Sequence, residues 1–282
     1  MRGTRLWILL ALCAALALGV AACGSDDDDS TSGDSGTSAD VETLESGVLS
    51  VGTDAPYPPF EIGQPGEADF GGYDIDVMNA IGEELGLEVE YTDTGFGTIF
   101  RDTANGQFDT EAAASTITPA RQKVVNFSDP YYEAQQALLV PEGSDIATTD
   151  DLSGLIVGAQ DGTTGETYAN DETDASEVRG FPEGPDAVAA LVTEQVEAVI
   201  IDQPVAADAV EKQGGVEVAQ EIPTDELYGF AVAPDNTSLL DAMNEALSKL
   251  KDDGTITDLY QEYFQTDPPE SVLSGTTEAV AG

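Results

Sequence analysis

Segments with strand-like alternation and segments with helical spacing follow one another along residues 47–264, and this order restricts the fold most strongly. Gly47–Gly52 alternates as a strand does, and apolar residues recur at helical spacing over Tyr73–Leu85. The series begins again after Pro141, with a strand at Leu155–Ala159. Strands that alternate with helices predict an α/β fold with largely parallel sheets, here in two halves. The other predicted elements are strands at Leu87–Tyr91, Phe108–Ala114 and Ala198–Ile201 and helices at Ile99–Asn105, from Thr164, at Pro185–Glu194, Pro204–Gln213 and Ser238–Lys251.

The charge balance excludes several classes of function. The 282 residues contain 55 Asp and Glu against 9 Lys and Arg, with a formal charge of −46. Binding to nucleic acid depends on basic residues that neutralise phosphates, so no nucleic-acid partner is expected. The chain has no His, and both Cys lie within residues 1–23. We therefore expect no disulfide framework, no metal site and no cofactor.

The N-terminus has the features of an export signal. Arg2 and Arg5 precede an apolar run at Leu6–Val20, which is too short for an ordinary membrane span. The run ends in Val20-Ala21-Ala22-Cys23, which resembles the lipobox of bacterial lipoproteins. The resemblance implies a signal peptide at 1–22 and lipidation of Cys23, and export with soluble release is the alternative. Residues 23–40, rich in Gly, Ser and Asp, are predicted to be an acidic tether, and residues 269–282 a flexible tail.

A first candidate binding junction is the segment Ser115–Arg121. Thr118 suits a helix N-cap and Pro119 the first helical position, which would place Arg121 in the first turn. A cation is unfavourable there unless an anion lies between it and the free backbone N–H groups. The segment predicts a site for a carboxylate, and a surface Arg paired with a nearby acid is the alternative.

Two further junctions follow predicted strands. Thr163 and Glu166 have the spacing of a capping box after Gln160, which is also common in helices without a ligand. Asp202 stands at the end of a predicted apolar strand and just before Pro204, so it could be a simple N-cap. In open α/β sheets, however, ligands bind at the carboxyl ends of strands. Arg121 and Asp202 would then offer opposite charges to a small zwitterion.

Several motifs in register resemble those of the extracellular solute-binding proteins of family 3, which bind polar amino acids for ABC importers. This family includes glutamine-, histidine- and lysine/arginine/ornithine-binding proteins. The motifs that carry the resemblance are Thr53–Phe60, Gly72–Asp76, Thr116–Arg121, Phe127–Tyr132, Asp161–Thr164, Val199–Asp202, Tyr228–Val232 and Leu250–Phe264.

The resemblance implies a type II periplasmic-binding-protein fold, with two α/β lobes joined by two hinge strands. Lobe one would comprise 41–133 plus 225–268, and lobe two 134–224, with hinges near Tyr132–Gln135 and Pro223–Tyr228. It also implies a monomer outside the cytoplasmic membrane that closes on a free amino acid. The partners would be an ABC permease with its ATPase subunit, and the membrane through Cys23.

By the same resemblance, Arg121 would hold the α-carboxylate of the ligand, together with main-chain N–H groups of Thr116 and Thr164. Asp202 would hold the α-ammonium, with the Thr116 hydroxyl and the Ala114 carbonyl.

The resemblance also implies a pocket for the side chain of the ligand. Tyr57 and Phe96 would be its aromatic walls, Asp54 and Gln160 would contact that side chain, and Thr163 belongs to the same binding loop. A carboxylate beside aromatic faces favours a basic or amide amino acid such as arginine, lysine or glutamine. The alternative for Asp54 is a cap on the local turn. Alternatives for the whole chain are an amino-acid sensor for a signalling receptor, or a dehydratase on the same scaffold.

Overall fold

The computed structural model describes residues 41–277. The predicted signal peptide at 1–22, the lipidation of Cys23 and the tether up to residue 40 lie outside the described residues. Within the described range, no helix combines the length and the apolar character that crossing a bilayer requires.

Ten strands and eight α-helices are formed by residues 41–277. The strands are β1 Val48–Thr53, β2 Glu88–Asp93, β3 Thr110–Glu111, β4 Asn126–Phe127, β5 Tyr132–Pro141, β6 Ile156–Gln160, β7 Glu177–Phe181, β8 Ala198–Asp202, β9 Val216–Tyr228 and β10 Ala231–Val232. The helices are α1 Tyr73–Leu85, α2 Phe96–Ala104, α3 Thr164–Glu172, α4 Gly184–Val192, α5 Gln203–Lys212, α6 Thr237–Asp252, α7 Thr255–Phe264 and α8 Glu270–Leu273.

The strands form two five-stranded sheets, and each sheet is mixed. Sheet one has the order β2-β1-β3-β10-β4, with β1 parallel to β2 and β3, and β10 antiparallel to its neighbours. Sheet two has the order β7-β6-β8-β5-β9, with β6 parallel to β7 and β8, and β5 antiparallel to β8 and β9. Alternation of strands and helices predicts the parallel part of each sheet. The antiparallel pairings are made by β5 with β8 and β9 in sheet two, and by β10 with β3 and β4 in sheet one.

Each sheet forms a lobe with its own helices. Lobe one is sheet one with α1, α2, α6 and α7, and lobe two is sheet two with α3, α4 and α5. The two-lobed α/β fold confirms the prediction, whereas the residue limits of the lobes stay a prediction. The chain passes between the lobes at the start of β5 and at the end of β9, where Tyr132 pairs with Tyr228.

Aromatic side chains fill the junction between these two crossings and lobe one. Tyr132 packs against Phe60 with ring centroids 5.0 Å apart and against Phe264 at 4.6 Å. Tyr228 lies 5.4 Å from both Phe60 and Tyr132. The ends of the two connecting strands are therefore packed into an aromatic cluster of lobe one.

The helix predicted to begin at Thr118 is wrong. Residues Arg121–Lys123 form one turn of 3-10 helix, and β4 begins only a few residues later. The N-cap of this turn is Ala120, and the Oγ1 of Thr118 accepts from the backbone N of Arg121 at 3.2 Å. The segment between Thr118 and β4 forms only this 3-10 turn, so the dipole of an α-helix does not act on Arg121.

The predicted flexible tail is also wrong over its described part. Residues Glu270–Leu273 form α8, and the Val272 side chain is fully buried in the core. Further along, the backbone N of Thr277 donates to Oδ1 of Asp129 at 2.9 Å. An apolar side chain and backbone hydrogen bonds hold this segment against lobe one, although its composition is typical of a loop.

Candidate functional site

A narrow cleft between the two lobes brings together every residue that the sequence analysis selected for ligand binding. Lobe one contributes the residues that follow β1 and β3 and the start of α2, and lobe two contributes the ends of β6 and β8 and the start of α3. Both sets stand at the carboxyl ends of parallel strands, where α/β proteins bind ligands. The lining residues are Asp54, Tyr57, Phe96, Ala113, Ala114, Thr116, Arg121, Gln160, Thr163, Thr164 and Asp202.

Arg121 is held in the cleft by uncharged partners. Its Nη1 donates to the carbonyl oxygen of Thr116 at 2.7 Å, and its Nη2 to that of Gly162 at 3.1 Å. The guanidinium carbon lies 5.0 Å from the ring centroid of Phe96 and 4.7 Å from that of Phe100. Burial lowers the pKa of Arg121.

The guanidinium of Arg121 keeps N–H donors available for an anion, since it donates two hydrogen bonds to carbonyl oxygens. None of the four ion pairs within residues 41–277 includes Arg121, so the alternative of a surface Arg paired with an acid is wrong. A guanidinium has five N–H donors in a planar fork that matches a carboxylate. Carbonyl oxygens and aromatic faces fix its orientation without neutralising its charge.

Asp202 provides the negative charge of the cleft in lobe two. It stands at the N-cap of α5, yet its side chain makes no capping hydrogen bond. Its Oδ2 accepts from the Tyr57 hydroxyl at 2.6 Å, and its Oδ1 accepts from Nε2 of Gln136. Burial, followed by the nearby charge of Glu226, raises the pKa of Asp202 to about 6. A buried carboxylate with only neutral donors around it suits an ammonium group.

Asp54 connects the two lobes at another part of the cleft. Its Oδ2 accepts from Nε2 of Gln160 at 2.6 Å, and its Oδ1 accepts from the backbone N of Phe96 at 3.2 Å. Burial raises the pKa of Asp54 to about 6. The carboxylate thus reaches across the cleft rather than capping the local turn at Ala55 and Pro56, and the cap alternative is not supported.

Thr163 has a structural role at the start of α3. Its Oγ1 accepts from the backbone N of Glu166 at 3.1 Å, which is the cap that the sequence predicts. In a capping box, the Glu166 carboxylate would accept from the backbone N of the N-cap residue Thr163. Here it accepts instead from the backbone N of Gly162, at 2.8 Å. These two hydrogen bonds hold the turn before α3, which presents Gly162 to Arg121 and Thr164 to the cleft.

The two aromatic residues of the cleft have partners within the protein. The Tyr57 hydroxyl binds Asp202, and the Phe96 ring faces the Arg121 guanidinium. Both rings line the cleft as predicted, but each also positions a charged group. Their contact with the side chain of a ligand stays a prediction.

Sequence reasoning missed two polar residues behind the cleft, on the strands that connect the lobes. Gln136 on β5 and Glu226 on β9 are both buried, and Nε2 of Gln136 donates to Oε1 of Glu226 at 3.1 Å. Gln136 stands immediately before the apolar run 137–140. A polar residue next to such a run is the pattern that could have indicated Gln136 as a candidate. Glu226 lies in a segment where acids are common, and nothing in its sequence context distinguishes it.

Comparisons with known proteins agree with this architecture. A family described as "Bacterial extracellular solute-binding proteins, family 3" matches residues 49–266. The ABC transporter arginine-binding protein 1 of Escherichia coli (strain K12) is 31% identical over 222 residues, which cover 77% of this chain and 90% of that protein.

Solved structures show the same likeness. An ancestral arginine-binding protein bound to arginine is 37% identical with a TM-score of 0.73, and covers 77% of this chain and 98% of its own. The structure of an ancestral arginine-binding protein bound to glutamine has a TM-score of 0.74 at 37% identity, covering 78% and 99%. The ancestral amino acid-binding protein AncCDT-1, a precursor of cyclohexadienyl dehydratase, is 36% identical with a TM-score of 0.72, covering 77% and 96%.

Proposed function

This chain belongs to family 3 of the bacterial extracellular solute-binding proteins, and we propose that it captures a free amino acid by lobe closure and delivers it to the permease of an ABC importer. The observation that carries the proposal is the pair of opposite charges in one cleft, Arg121 from lobe one and Asp202 from lobe two. An amino acid has a carboxylate and an ammonium on the same carbon atom. A ligand bound to both residues connects the lobes.

The binding mechanism follows from the donors and acceptors of the cleft. Arg121 takes the α-carboxylate with the N–H donors that its two carbonyl contacts leave over. Asp202 takes the α-ammonium, and the Ala114 carbonyl and the Thr116 hydroxyl assist it. Since the residues come from both lobes, the full set of contacts exists only in the closed form, which is the form that the permease recognises.

The side chain of the ligand lies beside Asp54. This carboxylate accepts from Gln160 and Phe96, both of which are neutral donors. A guanidinium, an ammonium or an amide can donate to it, whereas an acidic side chain is repelled and an aliphatic one leaves it unpaired. We infer a basic or amide amino acid, with arginine, lysine and glutamine ahead of glutamate and leucine.

A thermal-shift screen of the twenty amino acids tests the proposal. A ligand present at 100 times its Kd stabilises the folded protein by about 2.7 kcal/mol, which raises Tm by several degrees. Calorimetry then ranks the amino acids that give a shift. A screen in which none of the twenty raises Tm would overturn the proposal, and one led by glutamate would overturn the ligand class alone.

We infer that the chain binds its ligand without converting it. Hydrogen bonds within the protein fix the carboxylates of Asp54 and Asp202 and the guanidinium of Arg121, an arrangement that suits binding of a ligand. Incubation of purified protein with prephenate or arogenate is expected to give no product above the uncatalysed rate. Formation of a product that depends on the protein concentration would show a dehydratase instead.

We also infer that Cys23 anchors the protein to the outside of the cytoplasmic membrane. Two or more acyl chains are needed for stable anchoring, so Cys23→Ala should move the protein from the membrane fraction to the soluble fraction. Cys13→Ala is the matched control, because Cys13 is removed with the signal peptide. A Cys23→Ala variant that stays in the membrane fraction would contradict the anchor.

A further inference from the structure

Glu226 is a buried carboxylate at the point where the lobes are connected. It lies on β9 opposite Ala134 of β5, and only 8% of the residue is exposed. Three donors bind it: the Thr116 hydroxyl at 2.6 Å, the Thr164 hydroxyl at 2.7 Å, and Nε2 of Gln136 at 3.1 Å. Thr116 belongs to lobe one and Thr164 to lobe two, so a single side chain joins both lobes.

The hydrogen bonds assign the hydroxyl protons on both sides of the cleft. Both threonine hydroxyls donate to Oε2 of Glu226, so each hydroxyl points its hydrogen at this carboxylate. A hydroxyl has one hydrogen and two lone pairs, and once the hydrogen is committed it can only accept from other partners. The Thr116 hydroxyl therefore presents lone pairs alone to whatever occupies the cleft.

This assignment matters because Thr116 lines the cleft together with Asp202. An α-ammonium has three N–H donors and needs three acceptors when it leaves water. Asp202 supplies one, and an oriented Thr116 hydroxyl supplies another. A free hydroxyl could instead turn its hydrogen toward the ammonium, which would repel it.

We propose that Glu226 is a positioning residue that fixes the Thr116 hydroxyl as an acceptor for the α-ammonium of the ligand. It gives the cleft a preference for amino acids over the same molecules without the amino group. The inference rests on the proposed function and deepens it, because it names the group that Glu226 helps to recognise.

The preference is tested with a matched pair of ligands, L-arginine and 5-guanidinopentanoate, which differ only in the α-amino group. If the screen selects glutamine, L-glutamine and glutaramate replace them. In Glu226→Gln we expect the ratio of the two affinities, measured by calorimetry, to fall at least tenfold. The fall should come from the amino acid, since the analogue has no ammonium to place.

A double-mutant cycle separates positioning from a general structural role. Thr116→Val removes the same acceptor, so we expect it to lower the ratio by a similar factor and the double variant to lower it no further. Glu221→Gln is the control, because it makes the same charge change at an exposed position of the same strand. If circular dichroism shows that Glu226→Gln is unfolded, Glu226→Asp takes its place in the cycle.

The outcomes distinguish this inference from the proposed function. Wild-type protein that binds none of the twenty amino acids contradicts both. Wild-type binding with an unchanged ratio in Glu226→Gln, or with independent losses from the two substitutions, contradicts the inference alone. Loss of both ligands in equal measure also overturns it, because that result describes a structural role.

Discussion

The Tyr57 hydroxyl in lobe one donates a hydrogen bond of 2.6 Å to Oδ2 of Asp202 in lobe two. This contact connects the lobes and stabilises the ionised form of Asp202, whose pKa burial raises to about 6. The aromatic residue thereby keeps the carboxylate ready for an ammonium ligand near neutral pH. The charge that Asp202 offers from lobe two therefore depends on Tyr57, a neutral side chain of lobe one.

Tyr57→Phe should weaken amino-acid binding and shift its pH dependence. Without the donor, the pKa of Asp202 rises above about 6, so less of it is ionised at a given pH. The affinity, measured by calorimetry between pH 5 and 8, should fall by about 1.5–3 kcal/mol, and the pH below which binding weakens should move upward. Tyr91→Phe is the control, since its hydroxyl binds Asn79 within lobe one. Equal pH profiles for Tyr57→Phe and wild type would exclude this role.

Arg121→Ala should remove most of the affinity. The α-carboxylate would be buried without a balancing cation, which costs about 2–5 kcal/mol. Arg101→Ala is the matched control, because Arg101 pairs with Asp102 and its side chain is 65% exposed. Calorimetry that gives wild-type affinity for Arg121→Ala would place the carboxylate of the ligand elsewhere.

Asp54→Asn should distinguish basic ligands from glutamine. Arginine would lose an ionic partner, so its affinity should fall at least tenfold, which is about 1.4 kcal/mol. Glutamine donates equally well to the amide oxygen of Asn, and its affinity should change by less than about threefold. Burial raises the pKa of both Asp54 and Asp202 from an ordinary value of 3.8 to about 6. Arginine affinity should therefore fall more steeply than glutamine affinity below pH 6, and parallel pH profiles would contradict the assignment of Asp54.

Glu111→Gln should stabilise the protein at alkaline pH. Glu111 is buried in lobe one, where it accepts from the Ser115 hydroxyl and from the backbone N of Ala231, both at 2.8 Å. Burial raises its pKa to about 8 from an ordinary value of 4.5. The folded state keeps the proton up to about pH 8, whereas the unfolded chain releases it near pH 4.5. Its contribution to stability is therefore present below pH 4.5 and is lost as the pH rises to about 8.

Urea titrations at several pH values test this prediction. The free energy of unfolding of Glu111→Gln should exceed that of wild type by about 1 kcal/mol or more at pH 8.5, and the difference should vanish near pH 4. Glu88→Gln, at an exposed position of β2, controls for the change in net charge. A difference that does not vary with pH would show that Glu111 does not carry the proton.

Salt should stabilise the folded protein. The chain has 55 acidic residues against 9 basic ones, and residues 41–277 contain only four ion pairs. Self-repulsion weakens the compact state at low ionic strength, and 1 M salt shortens the screening length to about 3 Å. Tm should rise by several degrees between low and molar sodium chloride, and equally in potassium chloride. A Tm independent of salt would show that the repulsion is unimportant.

Local patterns predicted the elements whose hydrogen bonds are local. Helix α1 has the predicted bounds, Tyr73–Leu85, because its apolar spacing ends at Gly86, which adopts a left-handed conformation with φ of 69°. The strand predicted at Phe108–Ala114 is shorter, Thr110–Glu111, because β1 pairs with it only at these two residues and β10 pairs with it only at Thr110. The length of a strand is set by its neighbour in the sheet, which can lie far away in sequence.

Candidate residues for the cleft could be predicted because they belong to motifs in register. Their partners within the protein could not, since Glu226 meets Thr116 only after the two lobes are assembled. The burial of Val272 was missed for the same reason, because its surroundings come from distant parts of the chain.

The order of strands in sheet one has a consequence for how the chain acquires its structure during synthesis. Sheet two is built from one continuous stretch, Tyr132–Tyr228, so it can assemble as soon as that stretch is available. In sheet one, β10 lies between β3 and β4, and it is the last strand to be made. A nascent chain therefore cannot complete its N-terminal lobe until nearly all of it has been synthesised. This delay would keep lobe one of an exported polypeptide incompletely folded, and so able to pass through a translocation channel, until its C-terminal part has been made.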